Sequence, residues 1–132
     1  MKKIIAFIAF AFTVINASAQ ETEIIGNHFE LKGKIISDVV TSPPCGVLPS
    51  AVVVEFQILE VSNGTLPPGN VGIIFTCPEL YGKDFFKNGE TYTITVADKN
   101  QASNGWLIAN EEALDKYNLP NKLYAVKAEK VD

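Results

Sequence analysis

Ala51-Val52-Val53-Val54-Glu55-Phe56-Gln57-Ile58-Leu59-Glu60-Val61 is the stretch whose reading decides the fold. Val52, Val54, Phe56 and Ile58 share one parity, Val53, Glu55 and Gln57 the other, and β-branched side chains dominate. A period of two with this composition predicts a strand with one face in a core. Leu59 and Val61 then appear on the second parity. That switch predicts a β-bulge, or a strand end covered on both sides, and bulges are how a small sheet curls toward closure.

Working outward, Phe29-Glu30-Leu31-Lys32-Gly33-Lys34-Ile35 alternates in the same way and predicts a strand before it. Thr41-Ser42-Pro43-Pro44-Cys45-Gly46 breaks the chain between the two, since consecutive prolines remove donors and fix φ. After a loop over residues 62–70 that holds Asn63-Gly64 and Pro67-Pro68-Gly69, Val71, Ile73, Phe75 and Cys77 alternate as a third strand, ended by Pro78. Tyr92, Ile94 and Val96 alternate with Thr91, Thr93 and Thr95 and give the clearest strand of all. Asn110-Glu111-Glu112 reads as an N-cap with acidic residues in a first turn, predicting a short helix to about Tyr117 that Pro120 stops. Leu123 to Val131 alternates once more, with Tyr124, Val126 and Ala128 expected inward.

Strands separated by turns rather than helices exclude a parallel sheet with βαβ crossovers. The pattern predicts an all-β fold: a small five-stranded Greek-key barrel of the OB type with one short helix near the C-terminus, a sandwich of the same strands being the alternative. Val54, Phe56, Ile58, Val71, Ile73, Phe75, Tyr92, Ile94 and Val96 should share the core, with Glu55, Gln57, Thr93 and Thr95 turned away from it.

The 132 residues allow one compact domain. Residues 1–19 read as a secretory leader, with Lys2 and Lys3 before the apolar run Ile4 to Ile15 and Ala17-Ser18-Ala19 at the cleavage position. That run is short of the roughly 20 residues that cross a bilayer. Cleavage after Ala19 leaves a single domain over residues 20–132, secreted or periplasmic, acidic, and without a further segment long enough to span a membrane. In an oxidising compartment the two cysteines, Cys45 and Cys77, are expected to form a disulfide. All 11 basic residues are lysines and the net charge is -4, which disfavours nucleic acid as a partner.

Val52 to Val61, the glycine-containing loop, Val71 to Cys77 and Asn88-Gly89-Glu90-Thr91-Tyr92-Thr93-Ile94-Thr95-Val96 together resemble the netrin-module family that includes the tissue inhibitors of metalloproteinases. The likeness spans about residues 33–110 and implies an extracellular OB-type binding module. In those inhibitors the cysteine at the mature N-terminus chelates the protease zinc, whereas this chain is expected to begin at Gln20. An untethered arm before Phe29 would have to be ordered on binding, so inhibition by that mechanism is not expected.

The inventory for catalysis is poor. His28 is the single histidine, no nucleophile motif accompanies it, and an ordinary hydrogen-bonded or exposed histidine is the expected reading. No metal site or cofactor is expected: there is no calcium loop, the cysteines are expected to be bridged, and the glycines are scattered among turns. Asn63-Gly64-Thr65 matches the N-glycosylation pattern, whose use depends on a eukaryotic secretory route. Phe85, Phe86 and Trp106 lie beside turns and are candidates either for lids over the barrel ends or for a binding surface. The functional expectation is a non-catalytic binding module for a protein or peptide, the alternative being a small extracellular enzyme or enzyme accessory acting on polysaccharide or peptide.

Overall fold

In the computed structural model, which describes residues 23–132, the alternating segments become β1 (His28–Ile35), β2 (Ser50–Asn63), β3 (Asn70–Thr76), β4 (Thr91–Ala97) and β6 (Tyr124–Lys130), with a two-residue β5 (Leu107–Ile108). The leader, its cleavage after Ala19 and an N-terminus at Gln20 lie outside the described residues.

Five of these strands close on themselves. β2 pairs antiparallel with both β1 and β3, β1 with β4 and β4 with β6, and β6 meets β3 in parallel at Ile74 and Tyr124. This is the OB-type Greek-key barrel that the sequence predicts. Closure requires β2 to bend from β3 onto β1, and two extra residues supply the bend. Gly33 lies opposite Ile58 but Lys32 opposite Glu60, and Leu31 opposite Val61 but Glu30 opposite Asn63, so Leu59 and Ser62 are bulged out of the ladder. Leu59 projects into solvent while Ile58 and Val61, on opposite parities, both reach the core, which is the parity switch seen in the sequence.

The barrel interior holds Leu31, Ile35, Val52, Val54, Phe56, Val71, Ile73, Phe75, Tyr92, Ile94, Val96 and Leu123, all nearly inaccessible. Eight of the nine expected core residues are in this set, and Ile58, at the bulge, is partly buried against it. Gln57 is exposed, and Thr93, Thr95 and Glu55 lie on the outer face with partial exposure.

Two expectations are corrected. Val53, assigned to the outer face of β2, is buried: with Ala51, Ile74 and Ala113 it forms a second apolar cluster outside the barrel, flanked by Trp106, Ile108, Leu114 and Tyr124. The chain between β4 and β6 folds back over β2 and β3, and burial on that face comes from residues far away in sequence. On β6, Thr95 lies opposite Lys127 but Val96 opposite Ala125, so Val126 is a bulge and stands exposed. Ala128 on one side of the bulge and Ala125 on the other both turn inward, and Tyr124 joins the outer cluster. The helix at Asn110 is a 3-10 helix, Glu111–Lys116, and a second one, Pro78–Tyr81, follows β3.

Replacing Ile94 by Ala should cost about 2–5 kcal/mol in urea unfolding, because it opens a cavity in a close-packed barrel. The neighbouring Thr93→Ala, on the outer face, should stay within about 0.5 kcal/mol.

Candidate functional site

The upper edge of β2 determines what surface remains free. β1 pairs with β2 only from Phe56 onward, which leaves the backbone of Ser50 to Glu55 without β1 on that side. Ile36 N–H covers the Glu55 carbonyl at 3.0 Å, and β5 pairs in parallel with Ser50 and Ala51. Asn110 continues β5's work with its side chain: Oδ1 accepts from Val53 N–H at 2.7 Å and Nδ2 donates to the Val53 carbonyl at 2.9 Å. The amide therefore mimics a strand residue instead of capping the 3-10 helix, where it makes no side-chain cap bond.

The same segment is locked one step further along β2. The Glu55 carboxylate accepts from Ser37 Oγ at 2.8 Å, Tyr117 hydroxyl at 2.7 Å and Lys116 Nζ at 2.9 Å. Its side chain is 12% exposed. Burial alone would raise this carboxyl, but the hydrogen bonds from Lys116, Tyr117 and Ser37 outweigh it and hold the group below the ordinary carboxylate value. Tyr117 is pushed up, first by burial and then by the hydrogen bond and charge of Glu55. Gly72 on β3 makes room for this layer, since a Cβ there would meet Leu114 and Tyr117 at 3.2 Å and Val53 at 3.0 Å. The groups of this cluster are saturated by one another, and the outer face of β2 and β3, where OB barrels take oligonucleotides and oligosaccharides, is occupied by the chain itself.

The open apolar surface lies at the end of the barrel that carries the disulfide. Cys45 and Cys77 are bridged, with Cα atoms 5.4 Å apart, tying the β1–β2 loop to the end of β3. On the chain-entropy model a bridge closing a loop of this size stabilises by about 3–4 kcal/mol. Glu79 Oε1 accepts from Cys45 N–H at 2.7 Å and lies near both sulfurs, but bonded sulfurs offer no thiolate, so these three groups hold no metal in this state. Cys77 and Asp84, with φ of 48° and 61°, are the non-glycine residues in the left-handed region among the described residues, and both shape the sharp turns of this end.

Phe85 and Phe86 close the barrel here. Their rings lie 4.9 Å apart edge to face, Phe86 meets Phe75 at 4.9 Å, and Tyr81 and Tyr92 complete the stack. The Tyr92 hydroxyl, at the base of the stack, donates to the Phe85 carbonyl and accepts from Lys87 N–H at 2.9 Å, fixing the lid to β4. The outer side of the two phenylalanines floors a groove of about 570 Å³ lined by Val39 to Ser42, Pro78, Glu79 and Gly82 to Asp84. Trp106 is elsewhere: it packs on the outer cluster and donates from its indole N–H to Asn100 Oδ1 at 2.9 Å. The three predicted aromatics thus do not form one surface.

Val40, which lines this groove, is exposed, as are Val47 and Leu48 just after Cys45, Leu80 just after Cys77, and Leu107 on β5, with Val47 74% and Leu80 79% exposed. Val47 and Leu48 follow Cys45 in a turn bonded to the Pro44 carbonyl, Leu80 donates its N–H to the Cys77 carbonyl, and Leu107 donates to the Pro49 carbonyl. None of these side chains has a periodic signature, and the disulfide and β5 hold the segments that carry Val47, Leu48, Leu80 and Leu107 at one end of the barrel.

At the opposite end His28 is exposed in a shallow depression with Asn63, Gly64 and Thr65. The arm before Phe29, expected to be untethered, is tied down over Ile25 to Asn27. Gln101 exchanges two side-chain hydrogen bonds with the Ile25 backbone at 2.8 Å, and Asp98 accepts from Asn27 N–H at 2.9 Å and Nδ2 at 3.1 Å. Among the described residues no helix is long and apolar enough to cross a membrane. Comparison with family models, curated proteins and solved structures found no match.

Because Glu55 is held below its ordinary value in the folded state, its contribution is present above the unfolded pKa and lost as pH falls through the folded one. Wild type should therefore exceed Glu55→Gln in stability at neutral pH, and the gap should close on acidification below about pH 4.5. Urea midpoints of both proteins across pH 7 to about pH 3 measure this.

Proposed function

We propose that the protein is an exported, non-catalytic binding module whose partner is a protein or peptide, and that it binds this partner through the disulfide end. The observation that carries the reading is the gathering of Val40, Val47, Leu48, Leu80 and Leu107 around Cys45–Cys77, beside a groove floored by Phe85 and Phe86. Large apolar side chains rarely cluster in the open on a small domain unless something covers them. Aromatic rings fixed by neighbouring rings offer contact area that loses little entropy on binding.

Chemistry selects the kind of partner. The chain is acidic and has no arginine, which favours a protein or peptide over a phosphate backbone. Glu79, Lys83 and Asp84 rim the groove and supply polar contacts of both signs around an apolar floor. Export belongs to the same proposal: the leader predicted over residues 1–19 and the disulfide both suit a secreted or periplasmic protein. The likeness of β2, β3 and β4 to netrin modules, which implies an extracellular binding role, is consistent with it.

The test is capture of partners from secreted and envelope fractions by the purified protein. Val47→Asp and Leu80→Asp, at highly exposed positions, should leave the urea midpoint nearly unchanged and abolish the captured set. Leu59→Asp, at the bulge on β2, should capture normally. Equal capture by all the variants would place recognition elsewhere.

A further inference from the structure

β6 is paired along its length on one edge alone. It runs beside β4 from Tyr124 to Lys130, whereas its other edge meets β3 at the single pair Ile74 and Tyr124, and β3 ends at Thr76. Val131 N–H donates back to the Thr91 carbonyl at 2.9 Å. By the alternation of an antiparallel ladder, the backbone groups of Ala128 and Lys130 then point away from β4, toward the unpaired side. An open edge of this kind is a template for another strand.

The side chains of this edge are not the single-sign guard that keeps strands apart. Lys127 and Glu129 flank Ala128 on the outer face, 70% and 68% exposed, with Nζ and Oε1 3.2 Å apart. We propose that β6 pairs antiparallel with β6 of a second copy of this chain, about a two-fold axis at Ala128. In that register each Lys127 lies opposite Glu129 of the other copy, giving two ion pairs across the axis, and the small Ala128 side chains leave the centre unobstructed. Shifting the axis to residue 127 sets Lys127 against itself, and shifting it to 129 sets Glu129 against itself. Charge thus selects one register of the three. The joined strands would make a continuous sheet β1-β4-β6-β6-β4-β1 through both barrels. This edge runs past Thr76 toward the lid, where Lys130 lies over the Tyr92 ring, but Lys127 and Glu129 line neither the groove nor the bridge, so the charge variants test the dimer apart from the partner-binding reading.

Sedimentation equilibrium of the protein expressed from the full-length chain, over a range of concentrations, tests the proposal. Wild type should dimerise. Lys127→Glu and Glu129→Lys should each weaken the dimer by about tenfold or more, because each places like charges opposite one another twice. The double exchange Lys127→Glu with Glu129→Lys should restore it. Both positions are exposed, and matching urea midpoints establish that loss of the dimer is not loss of the fold. A monomeric wild type at every concentration, single variants that dimerise as wild type does, or a double variant that stays monomeric would each overturn the proposal.

Discussion

β2 has to serve two partners that lie in different directions, and the rest of the molecule follows from how it does so. Its 14 residues pair with β3 over the first half and with β1 over the second, and the bulges at Leu59 and Ser62 turn one course into the other. Without the bend, β1 and β2 could not close the ring and both would keep an open edge along a hydrophobic strand. With the bend, the upper part of β2 leaves β1, and the groups from Ser50 to Glu55 must find other partners. A buried backbone group left unpaired costs on the order of 1–3 kcal/mol, so this demand is strong. The segment between β4 and β6 meets it with β5 and the Asn110 side chain, and the β1–β2 loop meets it with Ile36.

That solution determines which faces of the barrel stay open. To reach the edge of β2 the segment from Trp106 to Tyr117 lies across β2 and β3, buries Val53 and Ile74, and is held by Glu55 at its far end. The surface that an OB barrel ordinarily offers to ligands becomes an internal interface. The disulfide then holds the β1–β2 loop against the end of β3, and the aromatic stack of Phe75, Tyr81, Phe85, Phe86 and Tyr92 seals the barrel beneath it. Exposed apolar side chains collect on this rigid, cross-linked end.

The barrel is legible in the sequence because alternation records which face of a strand meets the core, and the core is reached by strands of ordinary regularity. Even the first bulge is visible, since Leu59 changes the parity of an otherwise regular run. Val126 leaves no such mark, because alanines on both sides of it fit either face and the pattern through Tyr124, Val126 and Ala128 looks unbroken. Val53 escapes for a different reason: its cover comes from Ala113 and Leu114, far along the chain, and periodicity carries only one covered face. Asn110 has the composition of an N-cap, yet its amide is drawn to the stronger demand of an unpaired strand edge. The Cys45–Cys77 bridge can be named because two cysteines in a chain read as exported have one pairing. The exposed side chains near it cannot, since the segments that carry Val47 and Leu48, Leu80 and Leu107 are joined at this end only by the bridge and by the pairing of β5 with β2.

Hydrogen exchange at the Val53 amide tests most directly whether the covering segment is an integral part of the barrel. This N–H is bonded to the Asn110 side chain rather than to a strand, so its protection reports the segment alone. If the segment completes the edge of β2, Val53 should exchange as slowly as Phe56 and Ile94 in the barrel interior, through global unfolding. Exchange at Val53 and across residues 107–117 that is orders of magnitude faster than in those strands would show a layer that opens on its own. The face of β2 and β3 would then be a surface behind a movable cover and not an internal interface, and the proposed partner site would have a rival to the disulfide end.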